Sequence, residues 1–358
     1  MEETRTRVVG IDLAKRTYVA HMIEDGNPKA RVWDGKNDET GLLRLCSRLR
    51  SSDRVGMEAC ALAFHWAKVI QAKVGCRVVV LNAGDLAVIY KSVKKTDLED
   101  AGKLGWLLHR LPDEELPVVT LPSEQEELRR AMISELSSKK RARTMMINRL
   151  HSLFVRQGIV TIRKPDLATP DRRKQTLAVL TGRTLIEAGR IEEELILVDA
   201  HIDQIQQEIR RELRDEPKAA RLMSIPGVGP TTAIAFLAHV GDGRRFSKAR
   251  QVSHFVGMTP RVDSSGETTR MGSITKRGCS AIRGLIVQAA WSATHSAMDH
   301  RLKRKYRELE ARRGKGRAIV AIARRILELM WVVVTKDLDY WETDRNSLDR
   351  KLARLRAA

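Results

Sequence analysis

The chain has 358 residues, 42% of them hydrophobic, which is enough apolar material for two or three cored domains and excludes a disordered polymer. Lysine and arginine outnumber aspartate and glutamate by 65 to 45, and the net charge of +20 with a pI of about 10.2 points to a polyanionic partner, nucleic acid first. No run of about 18 uncharged apolar residues and no signal peptide is legible, so no membrane partner is expected.

From Arg7 to about Leu111, short β-rich runs at 8–13, 18–23, 30–33, 55–59 and 78–81 alternate with helical patterns. Asp25-Gly26 predicts a tight turn between the second and third runs, so the order opens with antiparallel strands. Three strands followed by helix, strand, helix, strand and helix is an RNase H-like (RuvC-like) α/β layout, assigned to residues 1–118. Ser123 and Glu126 predict a capping box, and Leu128, Met132 and Leu136 continue a helix toward Phe154. Beyond Pro165 and Pro170, the residues Ile191, Leu195, Val198, Ile202, Ile205 and Ile209 alternate steps of four and three, a coiled-coil seam or the apolar stripe of a bundle helix. The two long helices predict a helical coiled-coil arm over 119–216. Residues 217–358 read as a third, mainly α region with a Gly-rich turn, a polar loop at Ser264 and Ser265, and helices running to a basic C-terminus.

Acids stand at the ends of these elements. Asp12 closes the first run, Glu58 the fourth, and Asp97 and Asp100 open the helix that follows the fifth, three residues apart and therefore on one helix face. Asp12, flanked by Gly10, Ile11 and Leu13 on an apolar central strand, is costly without a partner. Crowded carboxylates repel unless a cation neutralises them, and hard oxygen donors suit Mg2+ or Mn2+, which act in phosphodiester chemistry. Thr96 and Glu99 predict a capping box, so Asp97 and Asp100 also suit the simpler role of complementing a helix N-terminus. Their order along the chain, together with Asp12 and Glu58, fits a RuvC-like nuclease site.

In the C-terminal region, Ile225-Pro226-Gly227-Val228-Gly229-Pro230 is a turn before an apolar helix, either a plain interhelical turn or a helix-hairpin-helix-like element whose backbone N–H groups hold phosphate. The loop after Phe255 alternates glycines and hydroxyls with Arg261, Arg270, Lys276 and Arg277, a phosphate-contacting composition. Ser264-Ser265-Gly266 reads on its own as a polar turn, and no Ser-His-Asp arrangement is legible around it. The C-terminal cations, among them Arg301, Arg304, Lys305 and Arg317, suit phosphate contact or a solvated face, and the tryptophans read as core or interface anchors. Cys46, Cys60, Cys76 and Cys279 lie far apart and are expected as buried thiols of a cytoplasmic protein rather than zinc ligands.

Gly10-Ile11-Asp12, Glu58-Ala59, Lys95-Thr96-Asp97 with Asp100-Ala101, Ile225-Pro226-Gly227 with Gly229, Gly257-Met258-Thr259-Pro260-Arg261 and Ser265-Gly266 together resemble the DEDD transposases of bacterial insertion sequences that use a catalytic serine, the family of the Piv DNA invertases and the bridge-RNA-guided recombinases. The resemblance implies Mg2+ held by Asp12, Glu58, Asp97 and Asp100, a coiled-coil arm, and a nucleophile at Ser265 that forms a phosphoserine link with DNA. Ser265 is preferred over Ser264 because it directly precedes Gly266. It further implies double-stranded DNA and a bridge RNA as partners, a homodimer or homotetramer, and a bacterial, nucleoid-associated location. Two other readings use the same residues: a Holliday-junction endonuclease with water as nucleophile, and a catalytically inert nucleic-acid-binding protein in which the acids only cap and pack.

Overall fold

The structure, a computed structural model, describes residues 7–24, 27–89, 96–265 and 268–358; the Asp25-Gly26 turn, Lys95 and Gly266 lie outside the described residues. The chain divides into two compact units, Met1–Ser123 and Glu124–Ala358.

The first unit is a mixed α/β sheet. Its elements in chain order are β1 (Arg7–Leu13), β2 (Thr17–Glu24), β3 (Asn27–Lys36), α1 (Glu39–Cys46), β4 (Arg54–Glu58), α2 (Ala63–Val74), β5 (Arg77–Leu81), α3 (Ala83–Ile89), α4 (Asp97–Arg110) and β6 (Val118–Val119). Across the sheet the order is β3-β2-β1-β4-β5-β6. β1, β4 and β5 run parallel, while β2, β3 and β6 pair antiparallel to their neighbours. Alternation along β1 decides the two faces. Val9 and Ile11 enter a core with Leu42, Leu45, Trp66 and Ile70 of α1 and α2, whereas Val8 enters a second core with Leu104, Leu107 and Leu108 of α4. Gly10 and Gly56 are direct partners across β1 and β4, both on the α4 side. A Cβ on Gly10 would overlap the Ala101 carbonyl oxygen and the Gly105 amide, so α4 lies backbone to backbone against β1. The short strand β6 and the helix α3 had no signal in the hydrophobic pattern.

The second unit comprises α5 (Glu124–Arg156), a 3-10 turn (Lys164–Leu167), α6 (Pro170–Leu177), α7 (Gly182–Leu213), α8 (Pro217–Met223), α9 (Pro230–His239), α10 (Ala249–Phe255), β7 (Pro260–Ser265), β8 (Thr268–Ile274), α11 (Ser280–Thr294), α12 (Arg301–Arg313), α13 (Lys315–Thr335) and α14 (Arg345–Arg356). α5 and α7 pack on one another, and Ile191, Leu195, Val198, Ile202, Ile205 and Ile209 are all buried. Ile133 and Leu136 of α5 and the half of α7 from Val198 onward share one core with α9, α11 and α13, while the distal half closes a smaller core around Leu150, Phe154 and Leu167. Arg173 of α6 is wholly buried there and pairs with Glu192 and Asp199. The segment read as a polar loop at Ser264 and Ser265 is instead an antiparallel hairpin, with Asp263 opposite Arg270 and Ser265 opposite Thr268. Threonine favours strands, but the hydrophobic pattern along this segment gave no sign of one. Among the described residues no helix is long and apolar enough to cross a membrane.

The glycine at β1 has a measurable consequence. Gly10→Ala should destabilise the first unit by about 3 kcal/mol or more, because rigid backbone rather than a movable side chain stands where the methyl would go. Gly102→Ala on the same helix meets nothing nearer than 3.6 Å and should stabilise by about 0.5–1 kcal/mol through helix propensity. Urea unfolding of the two variants checks both signs.

Candidate active site and nucleic-acid interface

The packing of α4 decides where the acids go. Val8 contacts the Leu104–Leu108 part of α4 and Gly10 sits under Ala101 and Gly105, so the helix runs antiparallel to β1 and its N-terminus lies at the strand end that bears Asp12. Glu58 follows Gly56 on β4 as Asp12 follows Gly10 on β1, which puts both acids on the α4 side by strand alternation. Asp97 and Asp100 occupy the first turn of α4, where the Thr96 side chain accepts from the Glu99 amide at 3.2 Å. All four carboxylates therefore belong to one end and one face of the sheet.

Their side chains do not close on a common point. Asp12 is half-buried and has a partner, Glu58 and Asp97 are exposed, and Asp100 turns along its own helix to Lys103 at 2.9 Å. Among the described residues no group of three His, Cys, Asp or Glu side chains is near enough to share a metal ion. The expected quartet is thus a convergence of elements and not a formed ligand cage. The donor set fits a hard divalent cation in chemistry and in position along the sheet, and the charge of Asp100 is offset by Lys103. Sequence reading missed His21, which pairs with Gly10 across β2, packs near Gly102, and is held below the usual imidazole range by burial.

In the second unit the two turn glycines differ in role. Gly227 has φ 82°, and a Cβ there would overlap the Ala289 carbonyl and press on the Ala293 amide of α11, so its small size serves packing. Gly229 caps α9 and faces open space. The turn borders a groove of about 550 Å3 that His295, Lys351 and Arg354 also line. Lys351 was not singled out by the sequence. Its ammonium donates to the carbonyls of Met223 at 2.9 Å and Val228 at 2.8 Å, tying α14 to the turn, and burial pushes its pKa down to about 8. No periodicity could have paired residues so far apart in sequence.

The β7–β8 hairpin rises from a stem in which Gly257 and Gly278 pack against backbone, and Arg283 donates to the carbonyls of Val256, Arg277 and Gly278 at 2.9–3.0 Å. Ser264 and Ser265 lie on β7 and Arg270 on β8; Arg261, Lys276 and Arg277 are exposed. Lys276 adopts φ 57°, a left-handed conformation that turns the chain back from the hairpin toward α11.

Two family models cover most of these elements. One, described as a transposase DEDD domain, matches residues 9–157, and the other, the transposase IS116/IS110/IS902 family, matches residues 219–307. The chain belongs to the IS110/IS116/IS902 family of insertion-sequence transposases. It is 26% identical over 338 residues to a probable family 20 transposase of Pseudomonas aeruginosa, covering 93% of this chain and 98% of that one. It is also 26% identical to the transposase for insertion sequence element IS1111A of Coxiella burnetii (93% and 91% covered) and to that for IS1328 of Yersinia enterocolitica (92% and 97%). The first matched segment of this transposase-family chain contains all four acids, and the second contains the Gly227 turn and the Ser265 hairpin.

The cysteines depart from the expected four buried thiols: Cys46 and Cys76 are buried, Cys60 is exposed, and Cys279 is half-buried at the start of α11. A hydrogen bond with His239 and the helix N-terminal amides bring the Cys279 pKa down to about 7, while burial raises Cys76 to about 11. In a Cys60→Ser background, iodoacetamide should label Cys279 with a rate that rises through a midpoint of about 7, and leave Cys76 unlabelled in the folded protein. Mass mapping of the alkylated peptides checks this.

Proposed function

We propose that this transposase cuts and rejoins double-stranded DNA with the acids of its first unit and Ser265 of its second. The observation that carries the reading is the gathering of Asp12, Glu58, Asp97 and Asp100 at one end and face of an RNase H-like sheet. These four residues would hold Mg2+ or Mn2+, with Asp100 released from Lys103. Such an ion, when bound, supplies charge neutralisation and polarisation at a scissile phosphate.

Ser265 provides the nucleophile: its Oγ–P bond forms as a phosphodiester P–O bond breaks, the serine proton is lost, and the departing sugar oxygen is protonated. The phosphoserine ester keeps the phosphoryl group reactive, so a second strand's hydroxyl displaces Ser265 without ATP. Its support is the Ser265-Gly266 pair in its family setting and the anchored hairpin stem that presents it. Gly229, Arg261, Arg270, Lys276 and Arg277 would contact backbone phosphates, and Gly227 would shape the turn. Guidance by a bridge RNA completes the reading, and the +20 charge is suited to two polyanions. Association into a dimer or tetramer is supported by Ile186, Ile196 and Leu197 of α7, each more than 50% exposed on a helix whose other face is already packed.

The test is to incubate the protein with Mg2+, labelled junction DNA and the element's flanking RNA, and to resolve protein-linked DNA on a denaturing gel. The wild type should give an adduct, Ser265→Ala none, and Asp12→Asn should lose cleavage to background. Cleavage that survives Ser265→Ala with no adduct would instead assign the attack to water and the chain to junction endonucleases.

A further inference from the structure

The helices α12 and α13 lie antiparallel and leave a groove of about 580 Å3 between them, which Tyr340 and Trp341 also line. Five basic side chains line it, Arg301, Arg304, Lys305, Arg324 and Arg325, against two acidic ones, Glu308 and Glu328, with Glu342 paired to Arg304 beside it, which leaves the cations in excess. Trp341 is 58% exposed, unlike the other tryptophans, which are buried or half-buried.

An exposed indole is commonplace on a loose loop, but this one stands on a pinned segment. The Tyr340 ring beside it is buried, its centroid 4.5 Å from that of Trp341. The Tyr340 amide donates to Ser224 Oγ at 2.8 Å, and the Thr343 amide donates to the Tyr340 carbonyl at 3.1 Å. Glu342 accepts from the Arg301 amide at 2.7 Å and the Arg304 guanidinium at 3.0 Å. The ring is therefore held at the mouth of the groove with its mobility already restricted, which lowers the entropy cost of a flat ligand stacking on it.

We propose that this groove binds single-stranded DNA, with an unpaired base stacked on Trp341 and the flanking phosphates on Arg301, Lys305 and Arg325. Base stacking on an aromatic ring beside a basic channel is how proteins hold unpaired strands without reading sequence. Duplex bases already stack on one another and offer no face to the indole. The strand is taken as DNA because cleavage by a transposase leaves unpaired DNA beside the protein, and binding to the RNA copy is compared directly below. An apolar protein partner is disfavoured by the same five cations. The proposal goes beyond the cleavage chemistry and uses none of its residues.

The experiment measures binding of the full chain to a fluorescein-labelled oligodeoxynucleotide of mixed sequence, to the same strand annealed to its complement, and to its RNA copy. Trp341→Ala should weaken single-strand binding by about five- to a hundredfold and leave duplex binding unchanged, while Trp341→Phe, which keeps a ring, should stay within about threefold. Arg301→Gln should lower the slope of log affinity against log salt by about 0.7. Asp12→Asn should bind the single strand as the wild type does, so failure of the cleavage reading leaves this result intact. The proposal is overturned by an equal loss on duplex and single strand, by no loss, by a loss confined to the RNA copy, or by a drop in sedimentation mass in Trp341→Ala, which would make the groove a self-association surface.

Discussion

The backbone contact between β1 and α4 at Gly10 is the constraint that decides where the four acids of the first unit stand. Because no side chain intervenes, the helix can settle into the trough made by Gly10 and its cross-strand partner Gly56. That depth fixes both the direction and the height of α4, and so the distance of its first turn from the ends of β1 and β4. A helix raised by one methyl group would carry Asp97 and Asp100 away from Asp12 and Glu58. The apolar residues on either side, Val8 and Leu104 to Leu108, lock the register once the glycines have permitted it.

A related device recurs in the second unit. Gly227 meets the backbone of α11, and Gly257 and Gly278 meet backbone at the foot of the hairpin. Each close approach trades side-chain burial for rigidity of a polar segment that has little core of its own. Arg283 and Lys351 then satisfy the carbonyls that such tight turns leave unpaired, Arg283 under the hairpin and Lys351 under the turn before α9. Burying these cations costs solvation, and the carbonyl oxygens offset it. The result is a set of polar loops held firmly by a helical core, the arrangement a polyanion-binding surface needs.

Charge is distributed with the same economy. The basic excess is large, yet many guanidinium groups are paired: Arg173 with Glu192 and Asp199, Arg129 with Glu212 and Glu216, and Arg304 with Asp299 and Glu342. These pairs join α5, α6 and α7 or brace α12, so part of the arginine content serves architecture. Other cations stand exposed at loop ends and groove walls, including Arg261, Lys276 and Arg301.

The linear order of residues determined the first five strands of the first sheet, the two long helices and the positions of the acids, because each rests on local information: strand alternation, helical spacing and turn chemistry. Asp12, Glu58, Asp97 and Asp100 were legible for the same reason, as acids at element ends in a recognisable order. What the sequence could not determine was how those side chains stand, since the pairing of Asp100 with Lys103 competes with any shared ligand and is settled by rotamer and charge. Nor could it show that the segment around Ser265 pairs as a hairpin, because two short polar strands have no apolar periodicity and are held by a glycine-rich stem. Lys351 beneath the 224–230 turn and Trp341 at the mouth of a basic groove belong to tertiary structure alone, because they acquire their surroundings from helices that only folding brings together.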